Sequence, residues 1–241
     1  MSEFKMPTEV IDLPSKGLLY PESNPLSSGK IEMKYMTAKE EDILTNQAYL
    51  QAGVVIDKLL QSLIVTKIDY NDLLIGDKNA VMVAARILGY GSDYVFNYNG
   101  QTHTVDLSTF DSKPFDESVI KKGLNSFKYV LPATGVEVTF KLLTHGDEQL
   151  ITKEIEGYKK INKEANPELT TRLKTLITAV NGQTDRKVIY DFVDNHFLAK
   201  DSRAFREYVR SIQPDVDLSY TLPSGEQIEL PINISFFWPD A

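Results

Sequence analysis

The sequence predicts an α+β protein built from two divergent copies of one strand–helices–β-hairpin unit, with small sheets covered by helices. Three observations carry this. Two alternating runs, DYVFNY and THTVDL, flank Asn99-Gly100, the strongest short-range hairpin signal. The second half repeats the order of the first and ends in its own pair of runs, VDLSYTL and QIELPI, around Pro223-Ser224-Gly225. Matched residues then fall at corresponding places: Thr37 with Thr144, Glu41 with Glu148, Leu63-Ile64 with Leu176-Ile177, Leu74 with Leu198, Asp77 with Asp201 and Ala80 with Ala204.

Each element has its own reason. KIEMKYMT, from Lys30, alternates as a half-buried strand does, and AKEEDIL after it has helical periodicity. An apolar helix is expected over 54–65 and a third over 77–88, where Ala80, Val83, Ala84 and Ile87 make one stripe. Gly89 is the expected end of that helix. In the second copy a strand is expected over 136–144 and helices over 146–160, 169–180 and 201–212. Phe205, Tyr208, Val209 and Ile212 form the last helix's stripe. The second copy is longer, chiefly around Tyr158 to Pro167 and Gly182 to Tyr190. Since an isolated hairpin is marginal in water, each unit's strands should share a small sheet with helices on one face. The expected organisation is an extended N-terminal arm over 1–29, a first lobe over 30–110, a linker over 111–135 with a short helix near Glu117 to Lys122, and a second lobe over 136–241.

Composition narrows the function. With 42% hydrophobic and 25% charged residues and no apolar run longer than Ala80–Ala85, the chain of 241 residues belongs with soluble globular proteins, and no stable membrane insertion is expected. MSEFKMPTEV lacks a basic segment followed by an apolar one, so a cytoplasmic location is expected. Zero cysteines remove disulfides, thiol catalysis and thiolate zinc sites. The formal charge of −8 is concentrated in the first half, which repels phosphate backbones and makes nucleic acid a poor partner.

No catalytic set is visible. His103, His145 and His196 are scattered, and His145-Gly-Asp-Glu148 reads as a helix start, with Thr144 or Asp147 capping. Gly89-Tyr-Gly91 follows a helix and lacks the remainder of a dinucleotide fingerprint. Ser27-Ser-Gly-Lys30 lacks the companion motifs of serine–x–x–lysine enzymes. The expectation is a protein that is not an enzyme and takes no cofactor or metal. A nucleic-acid or regulatory module would have to use Lys153, Lys159, Lys160, Lys163, Arg172 and Lys174, and these alternate with Glu154, Glu156, Glu164 and Glu168, as on a solvated face.

Two segments stand out as interaction candidates. In Leu13-Pro-Ser-Lys16-Gly17-Leu-Leu-Tyr20, prolines 14, 21 and 25 forbid a helix, and the segment is either a strap over its own lobe or an arm for a partner. At the other end, Phe236, Phe237 and Trp238 must be tied down in the second core or in an interface. If they alternate on a last strand, Phe236 and Trp238 pack on the second lobe and Phe237 is available to a partner.

Leu13-Pro-Ser-Lys-Gly-Leu-Leu-Tyr20, Met36-Thr-Ala-Lys-Glu-Glu-Asp-Ile-Leu44, Leu88-Gly-Tyr-Gly91 before a hairpin, and Phe236-Phe-Trp-Pro239 together resemble the T4-type phage baseplate hub assembly protein family. The resemblance covers nearly the whole chain, including its two-copy layout. It implies a non-enzymatic role, through protein–protein contacts, in building the central hub of a contractile tail's baseplate. Partners would be other baseplate hub or tail proteins, met in the host cytoplasm during assembly, with the virion tail baseplate as the second expected location. Many members place cysteine pairs at the hairpin turns, suggesting zinc knuckles; here those turns, 97–102 and 222–226, carry none. A related reading is a tail assembly chaperone that holds the tape-measure protein.

Overall fold

The computed structural model describes residues 6–164, 166–230, 232 and 234–237. In the first lobe β1 (Thr8–Asp12) pairs antiparallel with β2 (Lys30–Lys34), placing Ile11 opposite Ile31 and Glu9 opposite Met33. Met33 also bridges Ile64, so a third short strand position lies beside β2. Helices α1 (Ala38–Leu44), α2 (Gln47–Gln51) and α3 (Val55–Leu63) follow. The first is closed by a capping box in which Thr37 and Glu40 satisfy each other's backbone. The long α4 (Ile75–Tyr90) then leads to the hairpin of β3 (Asp93–Tyr98) and β4 (Gln101–Asp106). The stretch expected as an arm thus contains β1 and lies on its own lobe.

The second lobe repeats this plan. Strand β5 (Phe127–Val130) pairs with β6 (Glu137–Phe140), which pairs with β7 (Ile177–Val180). Tyr129 sits opposite Val138 as Ile11 does opposite Ile31, and Phe140 meets Ile177 as Met33 meets Ile64. Helices α5 (His145–Ile161), α6 (Glu168–Leu176), α7 (Arg186–Asp191) and α8 (Ala199–Ile212) precede the hairpin of β8 (Ser219–Thr221) and β9 (Gln227–Glu229). Matching ion pairs brace the two strand-to-helix corners. Lys34 reaches Glu40 at 2.8 Å, and Lys141 reaches Asp147 at 2.7 Å.

One detail of the duplication was not apparent from periodicity. Leu13-Pro-Ser-Lys-Gly17 after β1 and Leu131-Pro-Ala-Thr-Gly135 after β5 are equivalent turns in pattern and place. Each is received by the aspartate at the third position of the helix that precedes its lobe's hairpin, α4 or α8. The first aspartate, Asp77, accepts from Ser15 N, Ser15 Oγ and Tyr20 Oη; the second, Asp201, accepts from Ala133 N, Thr134 N and Thr134 Oγ1. The linker expected over 111–135 therefore includes a strand and a turn of the second lobe.

The lobes are joined where their helices start. Ile75 N donates to Leu143 O and His145 N to Leu73 O, a reciprocal pair across the junction. Residues 214–215 cross the start of α4 so closely that a Cβ on Gly76 would overlap the Pro214 carbonyl. One connected apolar core then runs through both lobes, from Leu13 and Met33 to Phe140 and Phe205.

Several element boundaries differ from expectation, and the strand expected over 136–144 is shortened to Glu137–Phe140. Helix α4 runs past Gly89 to Tyr90 and ends at Gly91 (φ 83°), and Gly89 instead makes room for the Met36 side chain. The apolar helix expected over 169–180 stops at Leu176, because Ile177-Thr-Ala-Val180 pairs with β6 as a strand. In place of the short helix expected near Glu117 to Lys122 there is a 3-10 turn at Glu117–Val119. Among the described residues no helix is long and apolar enough to cross a membrane.

Candidate interaction surface

The N-terminal candidates sit together in the turn after β1, but most of them face inward. Tyr20 is 5% exposed; its hydroxyl donates to Asp77 at 2.6 Å and accepts from Leu74 N at 2.9 Å. Burial first, and then the Asp77 charge, push its pKa far upward. Gly17 (φ 74°) is a backbone crossing point, where a Cβ would collide with the Ser27 carbonyl and the Gly29 amide. Lys16 alone points outward, paired with Glu117 and lying over the Phe115 ring.

At the other end, residues 234–237 form a 3-10 turn in place of an alternating strand. Phe236 and Phe237 are both fully buried, so Phe237 is not the residue offered to a partner. Nor does Phe236 serve the second lobe alone: its ring lies 4.9 Å from that of Tyr94 on the first lobe's hairpin. Beside it Phe96 meets Tyr220 edge-on at 5.7 Å, so the two hairpins are held together by rings. Trp238 lies outside the described residues.

A titratable cluster fills the lobe junction. Lys78 Nζ reaches Asp57 Oδ1 at 2.6 Å and His145 Nδ1 at 3.2 Å, while Tyr70 donates to Asp57 and stacks edge-on against the His145 ring. An ammonium can only donate, so Nδ1 accepts from Lys78 and Nε2 carries the proton, which requires the Gln149 amide at 2.9 Å to turn its oxygen, its only acceptor, toward the ring. Burial and then Lys78 lower the His145 pKa, and Asp57 and Glu148 only partly compensate. At 2% exposure this neutral imidazole is closed to solvent, and the cluster fits a structural joint. Among the described residues no group of three or more His, Asp or Glu could hold a metal ion. Of the cations a nucleic-acid module would need, Arg172 is held by both oxygens of Glu148, and Lys174 is buried against Asp194 at 2.7 Å.

Two grooves of 590 and 550 Å³ lie on the second lobe, and a smaller one lies on the first lobe beside β1. This apolar groove of 340 Å³ has Ala80, Val83, Ala84 and Ile87 of α4 as its floor. Leu107, Phe110 and Val216 form one wall. The other wall is β1, and because Ile11 and Asp12 point to opposite faces yet both line the groove, the groove runs along that strand's edge. Among the described strands β1 pairs only with β2, which leaves this edge unpaired.

The second lobe shows what occupies the same place there. Ile11 corresponds to Tyr129 and Ala84 to Tyr208, and in the second lobe these two rings stack at 4.6 Å and 18°. Where α4 carries Val83 and Ile87, α8 carries the exposed Glu207 and Ser211. The first lobe thus has small floor residues and an apolar helix face where its twin has a filled site and a polar one. The pattern Leu-Pro-x-x-Gly at 13–17 and 131–135 would have fixed these equivalences from sequence.

No family model, no curated protein and no solved structure matches this chain.

Proposed function

We propose that this is a non-enzymatic tail protein of a contractile-tailed phage, acting in the assembly or structure of the baseplate central hub through protein–protein contacts. The observation that carries the reading is the groove on the first lobe: an apolar trough beside a free strand edge is a surface for another polypeptide. The motifs behind the family resemblance support it, because they build the fold. Leu13–Tyr20 closes on Asp77, Thr37 and Glu40 start α1, and Gly91 ends α4. On this reading the protein meets its partners in the host cytoplasm during assembly. Mass spectrometry of purified particles and of infected-cell lysate tests it. Presence in both marks a structural subunit, and presence in lysate alone an assembly factor. A phage deleted for the gene that still makes complete, infectious tails would overturn the proposal.

A further inference from the structure

We infer that the first-lobe groove receives an extended segment of a partner protein that carries an aromatic side chain flanked by lysine or arginine. The inference rests on the reading above and names the chemistry of the partner. The aromatic requirement comes from the internal twin. Tyr129 and Tyr208 fill in the second lobe the space that Ile11 and Ala84 leave open in the first, so the vacant volume has the dimensions of rings.

Extension follows from the wall. Strand β1 spans Thr8–Asp12 and offers its unpaired backbone edge along the groove, so a strand of similar length can add to it while alternate side chains drop onto the α4 floor. The charge preference comes from the lining. Its two ionisable residues are both carboxylates, Glu9 and Asp12. The first of them accepts a hydrogen bond from Tyr35 Oη, and the second is paired with Lys30 at the surface. The excess of acid over base in residues 1–120 points the same way.

The test uses the whole protein in two experiments. In the first, amide shifts are followed by NMR while the capped pentapeptide Lys-Val-Tyr-Thr-Lys is added, alongside Lys-Val-Ala-Thr-Lys and Glu-Val-Tyr-Thr-Glu. Shifts should gather on residues 8–12, 80–88 and 107–112. Losing the ring or reversing the charges should each weaken binding by about tenfold or more. Ala84→Tyr, which copies Tyr208 into the groove, should abolish binding. Should Ala84→Tyr not fold, Ile87→Ser, copying Ser211, should weaken it instead. Equal binding of the three peptides, or undiminished binding to a folded groove variant, overturns the inference.

The second experiment captures tail proteins from infected cells with wild type and with the same variant. Capture that survives filling of the groove keeps the hub reading and removes the groove. Peptide binding without capture of any tail protein keeps the groove and removes the hub reading.

Discussion

Asp77 and Asp201 hold the same place in the two lobes, third in α4 and third in α8, and each receives the Leu-Pro turn that follows its lobe's first strand. They titrate in opposite directions. Burial dominates at Asp77 and raises its pKa despite the hydrogen bonds from Tyr20 and Ser15. At Asp201 burial also pushes upward, but the bonds from Ala133 and Thr134 outweigh it and the pKa falls. One duplicated contact thus has two protonation behaviours, set by whether burial or the hydrogen bonds each carboxylate accepts weigh more.

Asp77 should therefore cost stability as pH rises. Between the ordinary aspartate value and its raised one, the folded chain keeps a proton that the unfolded chain releases, so stability declines through that window. Asp77→Asn should flatten the decline in urea melts from pH 4 to 8. Asp77→Ala, which leaves Ser15 N without its buried acceptor, should lose on the order of 3 kcal/mol near pH 4 and less as pH rises.

His145 has the opposite sign. Its folded pKa is lowered, so as pH falls through about 6.5 the unfolded chain takes up a proton that the fold refuses, and stability drops. His145→Gln should be less stable than wild type at pH 7 yet lose the part of the drop between pH 7 and 5 that this residue causes. Parallel curves for the two proteins would mean that another group controls that range.

Phe236→Ala and Phe237→Ala should destabilise alike, by about 3–5 kcal/mol each, since both rings are fully buried. Chemical denaturation measures this directly. A near-neutral Phe237→Ala would place that ring at the surface.

Gly17→Ala should be far worse than Gly100→Ala. Both positions have positive φ, which alone costs an alanine about 1–2 kcal/mol. Only at Gly17 would the new Cβ also strike backbone, whereas Gly100 faces open space. A difference in melting temperature between the two variants reads out the crossing with Ser27.

Most of the fold was legible because helix and strand periods are local. The long helices and both hairpins lie where alternation and apolar stripes place them, and Thr37 and Thr144 both cap helices. What escaped was set by tertiary contact. The first turn's connection, 13–29, carries an insertion that its counterpart, 131–136, lacks, and this hid the shared Leu-Pro-x-x-Gly and with it the strand before each turn. Ile177–Val180 looks helical until β6 pairs with it. The candidate site was the least legible part. A stripe of Ala80, Val83, Ala84 and Ile87 reads as core, and its first three residues are indeed buried, but only comparison with Tyr208 and Glu207 shows that a groove opens along it.

The contact between Phe236 and Tyr94 also has a consequence in time. During translation the first hairpin leaves the ribosome long before residues 234–237 exist, so Tyr94 and Phe96 must wait, uncovered, while the second lobe is made. A chain that stalls after the first lobe presents those rings to chaperones and proteases, whereas a chain that has reached Phe237 hides them, so that hairpin distinguishes chains with a second lobe from chains without one.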